Sequence, residues 1–319
     1  MMLSRIAESL FWMARYMERA EDTARLLDVH YHMLLEHSPQ SYQLRWEAIV
    51  AISGETDRFF KLYREANPHN VFEFLGFSED NPNSVLTCVN RVRENARTIR
   101  DRMSREMWED INSLYHRLRG FRPETEIAAG PHRFCNEIKF ASFRFHGVCD
   151  DTLPHDEGWQ FLQAGRSLER AETTAHIVDA EYHQLLTSAS SEADVNNHQW
   201  MAVLRSVAAY EIYRREYHGR IEPEKVAELL LLHPRHPRSV RFNIAMLHAA
   251  LQAISGSGPD SYATEAERLT GKMQEGLLYD RIEDVFARGL HSFLTDLQKT
   301  CRVIGEQIAH SYFYYAVVA

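Results

Sequence analysis

Apolar residues recur at helical spacing along nearly the whole chain. Between about 4 and 36, Met13, Tyr16, Met17, Ala20, Ala24, Leu27, Tyr31, Leu34 and Leu35 fall within an arc of roughly 100° on a helical wheel. This predicts a long first helix docked by one face, with Ser4 as its N-cap and Pro39 as its stop. A second helix is expected over about 42–65, on Trp46, Ile49, Ile52, Phe59 and Leu62. Asn67-Pro68-His69-Asn70 breaks it, and a short helix over 71–77 follows. Asn81-Pro82-Asn83-Ser84 then opens a long third helix reaching about Leu118. Residues 120–131 read as loop, and 132–147 as a further helix.

The same order returns in the second half, with a long helix over about 157–187. Residues 199–203 echo 45–49, 223–232 form the short helix, and His236-Pro237-Arg238-Ser239-Val240 echoes 81–85. Helices over about 262–273 and 280–309 close the chain. The apolar tail Tyr312 to Val318 is expected to pack on the protein or on a partner. The echo is strongest in the first helix of each half, where 12 of the 21 paired positions between 15–35 and 166–186 are identical. No alternating run or hairpin signal appears. The expectation is therefore an all-α helical bundle with internal duplication around a pseudo-two-fold. One domain, 1–319, would be made of two repeats, about 1–150 and 151–319.

Composition adds limits. The 319 residues are 45% hydrophobic and 25% charged, as in an ordinary globular protein. A formal net charge of -9 argues against a general nucleic-acid binder. Cys88, Cys135, Cys149 and Cys301 are scattered without a C-x-x-C pair, which suits a reducing compartment. The first residues lack the apolar core of a signal peptide, and no apolar run approaches about 18 residues. A cytoplasmic chain with no membrane partner is expected.

Charged side chains line one edge of the apolar stripe in both halves. They are Glu18, Glu21, Arg25, Asp28 and His32 in the first, and Glu169, Glu172, His176, Asp179 and His183 in the second. Three readings stay open. A buried ion network could fix how the halves meet. A polar ligand could bind between them, on Arg15, Glu18, Arg19, Glu21 and Asp28 with Arg166, Glu169, Arg170, Glu172 and Asp179. A metal could be held by Glu172, His176, Asp179 and His183, although the spacing matches no familiar metal motif and Arg25 replaces His176 in the first half. Arg93, Arg97 and Arg100 share a helix face within about 60° and suit a carboxylate or phosphate, unless they are paired to Glu94 or Asp101. His146, Cys149, Asp150 and Asp151 lie close in sequence, which is not evidence for a triad. No Gly-rich phosphate loop, G-x-S-x-G or H-E-x-x-H is present.

Ser9-Leu10-Phe11-Trp12-Met13-Ala14-Arg15-Tyr16-Met17-Glu18-Arg19-Ala20-Glu21 resembles the signature of the bacterial alpha-E proteins. Residues 104–109, 158–162 and 237–242 extend the resemblance over nearly the whole chain. It implies a helical protein encoded beside, or fused to, a circularly permuted ATP-grasp protein, often near a transglutaminase-like protease. It supplies no catalytic residues and no cofactor. The expectation is a non-catalytic accessory or binding component of an ATP-grasp-linked system that forms or processes peptide or amide bonds. Its partners would be the ATP-grasp protein, the protease or a peptide substrate. The alternatives are a metal- or carboxylate-dependent hydrolase or transferase, and a purely structural partner protein in an oligomer.

Overall fold

The computed structural model describes residues 2–34, 42–187, 193–258 and 260–314, and among these every regular element is helical. The first half contains α1 (Ser4–Leu34), α2 (Tyr42–Ile52), α3 (Thr56–Leu62), α4 (Pro68–Gly76), α5 (Val85–Thr98), α6 (Arg105–Leu118), α7 (Pro123–Ala129) and α8 (His132–Thr152). The second contains α9 (Glu157–Thr187), α10 (Ala193–Ser206), α11 (Tyr210–Glu216), α12 (Pro223–Ala227), α13 (Val240–Ser255), α14 (Glu265–Tyr279), α15 (Ile282–Arg288) and α16 (Leu290–Tyr312).

The 31-residue helices α1 and α9 pack on each other at the centre. On their outer sides α1 meets α5 and α8, and α9 meets α13 and α16. Small side chains make the central contact close: Ala14, Ala20, Ala164 and Ala171 are all fully buried. At Gly165 the approach is closest, since a Cβ there would stand 2.3 Å from the Phe11 carbonyl oxygen and 3.3 Å from the Ala14 Cβ. Two helices this close place the long charged side chains of each within reach of the other.

Several helix boundaries differ from those read in the sequence. The expected helix over 42–65 is two helices, because Gly54 turns the chain with φ +73°. The expected third helix also breaks. Residues Arg100–Arg102 form a 3₁₀ turn, Met103 is extended, and Ser104 starts α6 by accepting a hydrogen bond from the Met107 N–H. Residues 120–131, expected as loop, contain α7. The last helix is interrupted at Gly289. Asp156 caps α9, its Oδ1 accepting from the Gly158 N–H at 2.9 Å. In the tail Phe313 is buried against Phe11 and Phe161, while Tyr314 is exposed; residues 315–318, like the stop expected at Pro39, lie outside the described residues.

Candidate functional site

Glu18 and Arg19 are adjacent on α1, as Glu169 and Arg170 are on α9. Neighbours on a helix point about 100° apart and do not pair with each other. They pair across the seam instead. Glu18 Oε2 accepts from Arg170 Nε at 2.7 Å, and Glu18 Oε1 lies 3.3 Å from Arg166 Nε. In the opposite sense Glu169 accepts from Arg15 Nε and Arg19 Nε, both at 2.6 Å.

Around Glu18 the cluster is closed. Its carboxylate is fully buried and also meets His146 Nε2 at 2.6 Å. Arg238 enters from the N-terminus of α13 and donates to Asp22, and to Glu21 at 2.6 Å. Arg25 and Ser142 complete Glu21, at 2.5 and 3.1 Å. Burial would raise the carboxyls of Glu18 and Glu21, but Arg170, His146 and Arg238 around the first and Arg238 and Arg25 around the second hold both below the usual range. His146 is held below its ordinary value by burial and by Arg166. Asp22 goes the other way: burial, with Glu18 and Glu21 opposing Arg238, pushes its carboxyl up to about 7.

That inversion has a pH signature. Between the ordinary value of 3.8 and about 7, folded Asp22 keeps a proton that the unfolded chain has released. Its contribution to stability therefore declines as pH rises through this window and is fully lost above it. Glu18 and Glu21 contribute in the opposite sense, losing their stabilisation as pH falls below the ordinary carboxylate range. Asp22→Asn should remove the first decline. In urea denaturation at about pH 5 and about pH 8, wild type should lose more stability relative to the variant at the higher pH; parallel behaviour would rule this out.

Around Glu169 the cluster is open. Where Arg238 and His146 crowd Glu18, this side has Asn83, whose Oδ1 accepts from Arg19 Nη1 at 2.6 Å, and Gly305, whose Cα faces Arg15. Glu172 accepts from Arg15 Nη2 at 2.7 Å. Two clefts meet here. One, of about 240 Å³, runs past Arg19, Thr23, Asn83, Glu169 and His176 to the apolar wall of Leu26, Ile49 and Ile52. The other, of about 640 Å³, runs past Arg15, Arg91 and Gly305 to Trp12 and Tyr16. Arg19, Glu172 and Arg302 line both, so the two adjoin as a trough along α1, whose lining also includes Asp22 and Glu306. Trp12 and Tyr16 stack with centroids 5.4 Å apart, with Arg15 5.1 Å from the Trp12 ring and Arg91 5.2 Å from the Tyr16 ring. Arg91 donates to the Tyr16 hydroxyl at 3.2 Å. Neither Arg91 nor Arg302 has a carboxylate within 4 Å among the described residues. Burial holds Glu169 up and His176 down, but Arg15 and Arg19 bring Glu169 below the usual carboxylate range.

The structure thus gathers Arg15, Glu18, Arg19, Glu21, Arg166, Glu169, Arg170 and Glu172, and divides them between a closed side and an open one. Asp28 and Asp179 lie apart. Asp28 meets Lys139 at 2.5 Å, and Asp179 meets His291 at 2.6 Å. Glu172, His176 and Asp179 do not converge on one point, and the side chain of His183 lies outside the described residues. Arg97 is exposed and paired to Glu94 at 2.6 Å; Arg93 bonds Asn112 at 2.9 Å and lies over Tyr115; Arg100 lies over Trp108. Arg93 and Arg100 both lie over the Trp108 ring, at 5.9 and 5.5 Å, although the chain breaks between them after α5. Cys149 packs on Met107 while His146 serves Glu18, so no catalytic triad forms from them. Arg238, Asp22, Arg91 and Arg302 were not expected from sequence. Arg238 stood in the echo of 81–85, but its acidic partners lie more than two hundred residues away.

The model of one family, described as a predicted alpha-helical domain with a conserved ER motif, matches residues 2–313. Glu18-Arg19 and Glu169-Arg170 are the Glu-Arg pairs of the two central helices. Uncharacterized protein Mb2597 of Mycobacterium bovis and uncharacterized protein MT2643 of Mycobacterium tuberculosis are each 25% identical over 313 residues. The match covers 92% of this chain and 34% of each relative, so the chain spans about a third of the length of the curated relatives it matches. No solved structure matches.

Proposed function

This chain belongs to the Alpha-E family, and from that premise we propose that it is a non-catalytic binding component of an ATP-grasp-linked system that forms or processes peptide or amide bonds. Working in the cytoplasm, it would present an acidic peptide in the trough to a circularly permuted ATP-grasp partner or a transglutaminase-like protease. The observation that carries the binding role is the pair Arg91 and Arg302, two guanidiniums that line the trough beside Glu172 and Glu306 and have no carboxylate within 4 Å among the described residues. From Trp12 to Leu26 the trough follows 15 residues of α1, a rise of about 21 Å, which is the span of about six extended residues. Guanidinium groups suit peptide carboxylates, and the Trp12–Tyr16 shelf and the Leu26 wall suit apolar ends. In the mycobacterial relatives the matching region is part of a much longer chain, which favours a domain working beside others.

The carboxylates argue for binding rather than catalysis, because Glu18 and Glu21 are fully buried and Asp22, Glu169 and Glu172 are occupied with arginines. The reciprocal pairing of Glu18 and Glu169 supports two copies around a pseudo-two-fold. One copy then closes its cluster with Arg238 and His146 as a clamp, while the other leaves the same space open for a ligand.

A fluorescent hexaglutamate peptide should bind in an anisotropy titration, and a hexalysine peptide should not. Arg91→Glu/Arg302→Glu should weaken binding by about tenfold or more, since each charge-assisted contact contributes about 1.5–3 kcal/mol. Equal affinity of the double variant would refute the trough. The partner is tested separately, by co-purification with the ATP-grasp protein and ATP consumption with and without this chain. Equal rates and no complex would remove that link.

A further inference from the structure

Near the C-terminal end of α1, away from the trough, Asp28 Oδ1 lies 2.8 Å from His132 Nδ1 and 3.5 Å from His32 Nδ1. One ligand atom from each of these residues lies within 4.8 Å of the other two. We propose that Asp28, His32 and His132 bind one divalent transition-metal ion of the Zn²⁺ type. Two imidazoles and a carboxylate favour such an ion over Mg²⁺ or Ca²⁺, which take mainly oxygen ligands.

The surroundings already hold the three groups as ligands are usually held. His32 Nδ1 lies 2.8 Å from the Asp28 carbonyl oxygen and 3.5 Å from Asp28 Oδ1; rotation of the half-exposed ring releases the carbonyl and turns a ring nitrogen toward the ion. Asn136 Nδ2 donates to His132 Nε2 at 2.7 Å, which leaves the ring proton on Nδ1, facing Asp28 Oδ1. Asp28 Oδ2 accepts from Lys139 Nζ at 2.5 Å, which fixes the carboxylate and leaves Oδ1 facing the histidines. Asp28 is thus anchored on both oxygens, by Lys139 and by His132. The anchor is therefore fixed and the arms are free: the side chain of Asp28 is 10% exposed, those of His32 and His132 52% and 57%. Ligand atoms around a tetrahedral ion at about 2.1 Å are separated by about 3.4 Å, so rotation of the exposed rings closes the set. Positions facing solvent remain for water. The ion takes the place of the proton on His132 Nδ1; that proton moves to Nε2, where the Asn136 amide turns its oxygen to accept it, and the ring binds as a neutral imidazole.

Lys139 gives the proposal a test of opposite sign. Its charge opposes a cation, whereas Asp179, which likewise faces a histidine at 2.6 Å, has the neutral Gln298 Nε2 on its other oxygen at 3.3 Å. Full-length protein would be titrated with Zn²⁺ by calorimetry, and with Co²⁺ by its visible ligand-field absorption. One equivalent should be lost, or weakened at least tenfold, in both His32→Ala and His132→Ala. It should persist in His291→Ala and tighten about tenfold in Lys139→Gln. His32 is half-exposed, so its variant tests binding without threatening the fold. No bound ion, or an affinity that neither His32→Ala nor Lys139→Gln changes, would overturn the site.

Discussion

Arg238→Ala is expected to destabilise the protein by about 3–5 kcal/mol, the range for removing one partner of a buried ion cluster. The reason lies in what is left behind. Arg238 donates to Glu21 and Asp22 and stands 3.9 Å from Glu18, and all three acids are buried. Without the guanidinium, three buried carboxylates share a space that retains Arg170 and Arg25. The midpoint of urea denaturation at neutral pH reads the effect. A loss below about 1 kcal/mol would show that Arg238 is no more than a surface-type pair. Arg238→Lys should recover only part of the loss, because one ammonium does not span Glu21 and Asp22 as the two Nη groups do.

Gly165→Ala should cost about 3 kcal/mol, at the upper end for an overpacked core. An alanine in a helix normally gains about 1 kcal/mol over glycine. Here its Cβ would stand 2.3 Å from the Phe11 carbonyl oxygen and 3.1 Å from its carbon. Both are backbone atoms of α1, so no side chain can move aside and the two helices must separate. Gly147→Ala is the control, being in a helix with nothing within 4 Å of the added carbon; it should be neutral or stabilising. Separation of α1 from α9 also lengthens Arg15–Glu169 and Arg170–Glu18, so the variant should lose hexaglutamate binding together with stability. A variant as stable as wild type would contradict the close seam.

The two central helices were readable because their signal is local. A 3.6-residue apolar stripe and a self-match of 12 in 21 positions need no knowledge of what packs where. The same local reading misplaced the breaks near Gly54, Met103 and Gly289. An apolar stripe can run on in phase across a turn, and periodicity alone does not register the restart made by Ser104.

By itself the sequence determined an all-helical chain, its family, the central position of the Glu-Arg segments, and the charges along one edge of each central helix. Only the tertiary structure decided which charges are clamp and which are site. Glu18 and Glu169 are equivalent in sequence, and each faces two arginines of the opposite helix. What separates them is the third neighbour: Arg238 and His146 fill the space beside Glu18, while Asn83 and Gly305 leave the space beside Glu169 open. Those neighbours arrive from other helices, at sequence distances where no periodicity carries information.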